Sequence, residues 1–212
     1  MTDLAADCAR EGLAILGGMP VEAAPGLPEG TRSLLLLGPA EPAFWPRFQS
    51  SPEAADGAPN PLDRWSMRVI GALAQAHGGT ALFPFGGPPW HPFYSWALAS
   101  GRAHASPIGL LVHVEAGLFV SYRGAIALPR DIDLPPPLPS PCPTCAAPCR
   151  TACPVGAFDA GYDVAACHGF LATPAGDTCM TQGCAARRAC PVGAGRRDPA
   201  QSAFHMRAFH PS

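Results

Sequence analysis

CPTCAAPCRTACPVGA, residues 142–157, is the stretch on which the reading of this sequence turns. Its cysteines, Cys142, Cys145, Cys149 and Cys153, are spaced C-x2-C-x3-C-x3-C, and Pro154 follows the last of them. A looser group comes next, Cys167, Cys179, Cys184 and Cys190, and Cys190 opens a second CPVGA. Eight of the nine cysteines therefore fall within 49 residues, while Cys8 stands alone near the start. The segment has few long apolar runs, so something other than a hydrophobic core must hold it. In a reducing compartment clustered thiols point to metal rather than to disulfides. Two structural zinc sites would also use eight cysteines, but zinc knuckles come as paired C-x2-C motifs, and only Cys142 and Cys145 form one.

Immediately upstream, DIDLPPPLPSP (131–141) is dense in proline and reads as a semi-rigid, extended linker. Residues 1–130 then read as an α+β domain with a mainly antiparallel sheet. Leu4, Cys8, Leu13 and Leu16 stand at roughly helical spacing and suggest a helix over 3–16 stopped by Gly17-Gly18, with Cys8 a buried structural thiol on its apolar face. The apolar run from Arg32 to Leu37 predicts a buried strand. Asn60 and Pro61 open a helix that Gly78-Gly79 closes, with Trp65, Val69, Leu73 and Ala76 as its core stripe. Thr80–Phe85 predicts a further strand, and Pro92–Ser100 a helix. Residues 107–114 and 117–128, rich in Val, Ile, Leu and Phe, predict a hairpin turning at Glu115-Ala116-Gly117.

Composition narrows the function classes. The chain has 212 residues, of which 48% are hydrophobic and 14% charged, so the surface is weakly charged and disorder throughout is excluded. All 14 basic residues are Arg, which removes lysine Schiff-base and P-loop chemistry. No apolar run approaches the roughly 18 residues that span a bilayer, and Asp3 and Asp7 stand where a signal peptide carries positive charge. A cytoplasmic protein without membrane partners is the expectation. Residues 1–140 hold 8 Arg against 12 acids, net −4, and residues 141–212 hold 6 Arg against 4 acids, net +2. That balance disfavours extensive contact with nucleic acid.

The cysteine pattern resembles a bacterial dicluster ferredoxin, whose motif is C-x2-C-x2-C-x3-C-P with the fourth cysteine ligating the other cluster. Here one extra residue separates the second and third cysteines. The resemblance implies two 4Fe-4S clusters, one on Cys142, Cys145, Cys149 and Cys190, the other on Cys153, Cys167, Cys179 and Cys184. His168, next to a ligand, would tune or shield its cluster.

The same tail, with VAACHGFL and CMTQGC between the two CPVG motifs, resembles the cluster domain of epoxyqueuosine reductases. PIGLLVHVEAGLFVSYRGAIALP (107–129) resembles the hairpin of CblC-type vitamin B12 processing proteins, with His113, Gly117, Arg123, Gly124 and Pro129 at matching places. Val114 replaces that family's proline, and Phe119 stands near its tryptophan. These resemblances imply a nitroreductase-related antiparallel sheet with helices (1–130) and a small ferredoxin-like domain (142–212). They also imply cobalamin or another corrinoid held near His113, Arg123, Trp90 and His91, reduced through the clusters by electrons from a redox partner protein. Such a protein would be a corrinoid reductase-type oxidoreductase. The alternatives are a ferredoxin-type electron carrier that only docks partners, and a tRNA epoxyqueuosine reductase-like enzyme.

Overall fold

The N-terminal helix is shorter than its apolar spacing predicts, and the reason lies in what surrounds two glycines. A computed structural model of the chain describes residues 2–21 and 26–210. In it α1 (Thr2–Arg10) gives way through Gly12, at φ +73°, to strand β1 (Leu13–Pro20). Gly17 and Gly18, expected to stop a helix, lie inside that strand. A Cβ on Gly17 would stand 2.7 Å from the Ser100 hydroxyl, and one on Gly18 would stand 2.8 Å from Leu134. They are glycines because neighbours approach the strand closely.

β2 (Ser33–Pro39) is buried along its whole length and pairs antiparallel with β1 from Leu13↔Pro39 to Pro20↔Ser33. α2 (Phe44–Gln49) and α3 (Pro52–Ala55) follow. α4 (Pro61–Ala76) starts at its proline, but Asn60 does not cap it with its side chain. Asn60 instead adopts φ 51° and accepts the Arg64 N–H on its carbonyl at 3.0 Å. Trp65, Val69 and Leu73 are buried while Ala76 is exposed. Trp65 meets Phe44 edge-on at 5.4 Å. β3 (Thr80–Leu82), α5 (Phe93–Ala99), β4 (Ala103–Ala105), β5 (Leu111–His113) and β6 (Gly124–Leu128) come next along the chain.

The sheet order is β1-β2-β6-β3, antiparallel throughout, so the chain is α+β as expected. The long hairpin predicted over 107–128 does not form. β5 pairs with β4, a single bridge joins His113 to Gly117, and β6 inserts between β2 and β3. One apolar stretch thus serves two cores.

By internal contacts the chain divides into two units. The first comprises the residues up to Ala103 with Ser121–Leu138; the second comprises His104–Val120 with the chain from Pro139 onward. This differs from a boundary at 131–141 in two ways. Segment 104–120 groups with the cysteine-rich tail, and the proline-dense segment through Leu138 belongs to the first unit, where the Leu138 N–H donates to the Gly101 carbonyl at 2.9 Å.

The second unit contains α6 (Val164–Leu171), α7 (Asp177–Gln182), α8 (Ala185–Arg188) and α9 (Pro199–Phe209). Asp163 caps α6 by accepting the Ala166 N–H at 2.9 Å, and Asp198 caps α9 by accepting the Ala200 N–H at 2.7 Å. α7 packs along α9. Its apolar cluster is Ile108, Val112, Leu118 and Ala186 together with Cys149 and Cys190. Among the described residues no helix is long and apolar enough to cross a membrane.

Candidate metal centre

Four cysteines of the second unit line one concave site. Cys142 and Cys145 lie on a turn closed by the Cys145 N–H donating to the Cys142 carbonyl at 3.1 Å. Ala147, at φ 52°, redirects the chain into the short 3-10 turn Pro148–Arg150 that carries Cys149. Cys190 comes in from the end of α8. Together they line the site with Ser106 and a mainly apolar wall that includes Val112, Leu118, Pro148 and Val192. The Ala147 N–H donates to the Cys145 sulfur at 3.4 Å. The turn at Gly117 (φ +59°) closes over the second CPVGA, where a Cβ on Gly117 would stand 2.0 Å from the Val192 carbonyl oxygen and 3.2 Å from the Cys190 sulfur.

Electrostatics group the thiols in the same way. Burial pushes the Cys142 thiol up, and the neighbouring Cys190 and Cys145 push it further; burial and then Cys190, Cys142 and Cys145 do the same to Cys149. In the other set burial raises Cys167, and Cys184, Cys153 and Cys179 add to the rise against the hydrogen bond from Tyr162. The Tyr162 hydroxyl donates to the Cys167 sulfur at 3.6 Å, and burial lifts its own pKa well above the ordinary range. The Ala157 N–H donates to the Cys153 sulfur at 3.4 Å.

The raised thiols Cys142, Cys149 and Cys167 suit a cationic group that stabilises thiolates. All nine cysteines are free, and among the described residues no three His, Cys, Asp or Glu side chains are arranged to hold a single metal ion. A tetrahedral zinc ion needs sulfurs about 2.3 Å from one point. A cube of four irons binds each thiolate on a different iron, which asks instead for sulfurs spread around a volume. The first site, with four cysteines on its wall and the Ala147 N–H beside the Cys145 sulfur, offers the donor set such a group takes.

α9 flanks the second quartet. Ser202 lies where a Cβ on Gly183, the residue before Cys184, would stand 2.9 Å from it. Phe209 meets the His168 ring edge-on at 4.6 Å and stacks with Tyr162 at 6.3 Å, and Tyr162 stacks on Phe158 at 4.7 Å. His168 therefore sits in an aromatic cluster beside Cys167, with its Nε2 buried and without a hydrogen-bond partner.

Of the residues expected at a corrinoid, His113, Arg123 and His91 have partners within the protein, and Trp90 is exposed. His113 is 0% exposed, and its Nδ1 accepts the N–H groups of Glu115 and Ala116 at 3.1 and 3.2 Å, so it shapes the turn that carries Gly117. Arg123, in the first unit, donates to the Ser66 hydroxyl at 3.1 Å, pairs with Asp63 and lies over the Phe85 ring at 5.5 Å. Burial lowers its pKa and Asp63 opposes the shift. In that unit Trp90 is 64% exposed, while His91 packs on Trp96 with ring centroids 5.5 Å apart.

Cys8 is fully buried there, and burial together with Asp7 pushes its thiol up to about 12. Two polar residues of the second unit carried no sequence signal as site residues, Tyr162 and Gln201. Tyr162 precedes Cys167 by five residues, a proximity that could have pointed to it. Compared with known proteins, the chain matches no family model, no curated protein and no solved structure.

Proposed function

We propose that this chain is an iron–sulfur electron-transfer protein with two 4Fe-4S groups, one on Cys142, Cys145, Cys149 and Cys190, the other on Cys153, Cys167, Cys179 and Cys184. The observation that carries the reading is geometric: Cys142 and Cys145 on one turn, Cys149 on the next and Cys190 from the end of α8 line one concave site. When bound, such a group supplies uptake and release of one electron at a time.

The chain's own residues do the rest. Ala147 and Ala157 N–H groups and the Tyr162 hydroxyl donate to ligand sulfurs, which favours the more negative state. Val112, Leu118 and the prolines give the first site an apolar wall. Arg188 and Arg197 are anchored on the backbone carbonyls of Gly183 and Phe119, so they bring positive charge to the unit without a carboxylate at those contacts.

An electron carrier is favoured over a corrinoid-holding protein because Arg123 is engaged with Asp63 and Ser66, and His113 is wholly buried. Anaerobic purification followed by metal analysis tests the first half: about eight iron and eight sulfide per chain are expected, with visible absorption that bleaches with dithionite. Stoichiometric zinc without sulfide would end the reading. Cobalamin titration tests the second half. An unchanged spectrum and no heat of binding are expected, and a saturable spectral change would return the corrinoid as acceptor.

A further inference from the structure

We propose that the side-chain amide of Gln201 donates a hydrogen bond to a sulfur of the group held by Cys153, Cys167, Cys179 and Cys184, and so raises the reduction potential of that group; the proposal rests on the two-cluster reading above. Gln201 is on the first turn of α9 and is 0% exposed, yet neither its Oε1 nor its Nε2 has a hydrogen-bond partner. A primary amide removed from water without a partner is strongly disfavoured, so a group outside the protein atoms must satisfy it.

The packing of α9 identifies that group. The helix lies along α7, which carries Cys179; Ser202 sits against Gly183, next to Cys184; and Phe209 at its far end meets His168, next to Cys167. α9 thus packs beside the elements that present three of the four thiols, and Gln201, next to Ser202 in the chain, is its fully buried amide. An N–H dipole directed at a cluster sulfur stabilises the reduced state, which carries one more negative charge, more than the oxidised state. A buried water is the competing partner of the amide, and it predicts no change in potential.

The test is a redox titration of the full chain, followed by the EPR signal of the reduced groups, comparing the wild type with Gln201→Met and Gln201→Glu. Methionine keeps the volume and removes the donor. One of the two midpoints is expected to move to a more negative value in Gln201→Met while the other stays, with iron unchanged at about eight per chain. Both midpoints unmoved at full iron would overturn the proposal in favour of water. Should the methionine variant lose iron, Gln201→Glu decides. Once ionised, its carboxylate offers no donor and adds negative charge, so with rising pH one midpoint must fall below that of the wild type, and a midpoint equal to the wild type at every pH overturns the proposal. A wild type that binds no iron refutes the two-cluster reading itself, which is a different result from two clusters and an unmoved midpoint.

Discussion

The two units of this chain bury different things. In the first, Leu34, Leu35, Leu36 and Leu37 are at most 1% exposed, on a strand paired along both edges, and Trp65, Ile70, Trp96 and Ile126 fill the space around the sheet. In the second, the helices run from 4 to 11 residues and the apolar cluster is built on Ile108, Val112, Leu118 and Ala186, with two cysteines as its other members. Side-chain burial of the first kind can hold a sheet without help. Elements as short as those of the second are marginal alone. On the proposed reading, the residues that would carry electrons are also those that would hold this unit together.

Breaking each unit at its own centre exposes the difference. Cys190→Ser should remove one cluster, roughly halving the iron from about eight per chain, and should leave the second unit sensitive to proteolysis. Retention of full iron would refute its place in the first quartet. Leu36→Ala should cost about 2–5 kcal/mol and leave the iron content unchanged. The four tryptophans, Trp45, Trp65, Trp90 and Trp96, all lie in the first unit, so their fluorescence in a denaturant melt reports that unit alone.

A smaller effect sharpens the comparison within the second unit. Gly117→Ala places a Cβ 2.0 Å from the Val192 oxygen at a φ of +59°. Left-handed strain of this kind costs about 1–3 kcal/mol, and the turn must also move off Val192. Faster iron release from the Cys190 set, with the other set unaffected, is the expected result; equal release from both would show that the turn does not support that quartet.

The smallest effect belongs to the first unit. The hydrogen bond from Arg68 holds the Glu53 carboxyl down at about 2, against an ordinary 4.5, despite the opposing effect of burial. Because the folded value is depressed, this stability is fully present above about 4.5 and is lost as pH falls toward about 2. Glu53→Gln should flatten that part of the tryptophan-monitored stability profile. Its cost at neutral pH should stay under about 1 kcal/mol, since the Arg68 side chain is half exposed. A wild-type profile already flat in that window would show that the pair contributes nothing.

Much of the frame was legible in residue order. The run Ser33–Leu37, the helix after Pro61 and the helix after Pro92 lie where the sequence puts them, because each is bounded by local signals. Gly17-Gly18 misled, since a glycine demanded by a neighbour's approach and a glycine that ends a helix look the same in sequence. The 107–128 stretch misled for a related reason. Alternating apolar residues predict extended chain, but nothing in them tells that Leu118 would pack with Cys149 and Cys190 while Ile126 joins the sheet. His113 and Arg123 carried the corrinoid resemblance, and in the fold one is spent on a turn and the other on Asp63 and Ser66.

The sequence by itself determined that eight thiols would crowd into residues 142–190, in two runs that each end on CPVGA, because cysteine spacing is a local property of the chain. Only the tertiary structure decided which turn closes on Cys190, which helix covers Cys167, Cys179 and Cys184, and that Gln201 would be buried without a partner. Those are encounters between segments tens of residues apart, and they depend on packing in three dimensions, which no local spacing records.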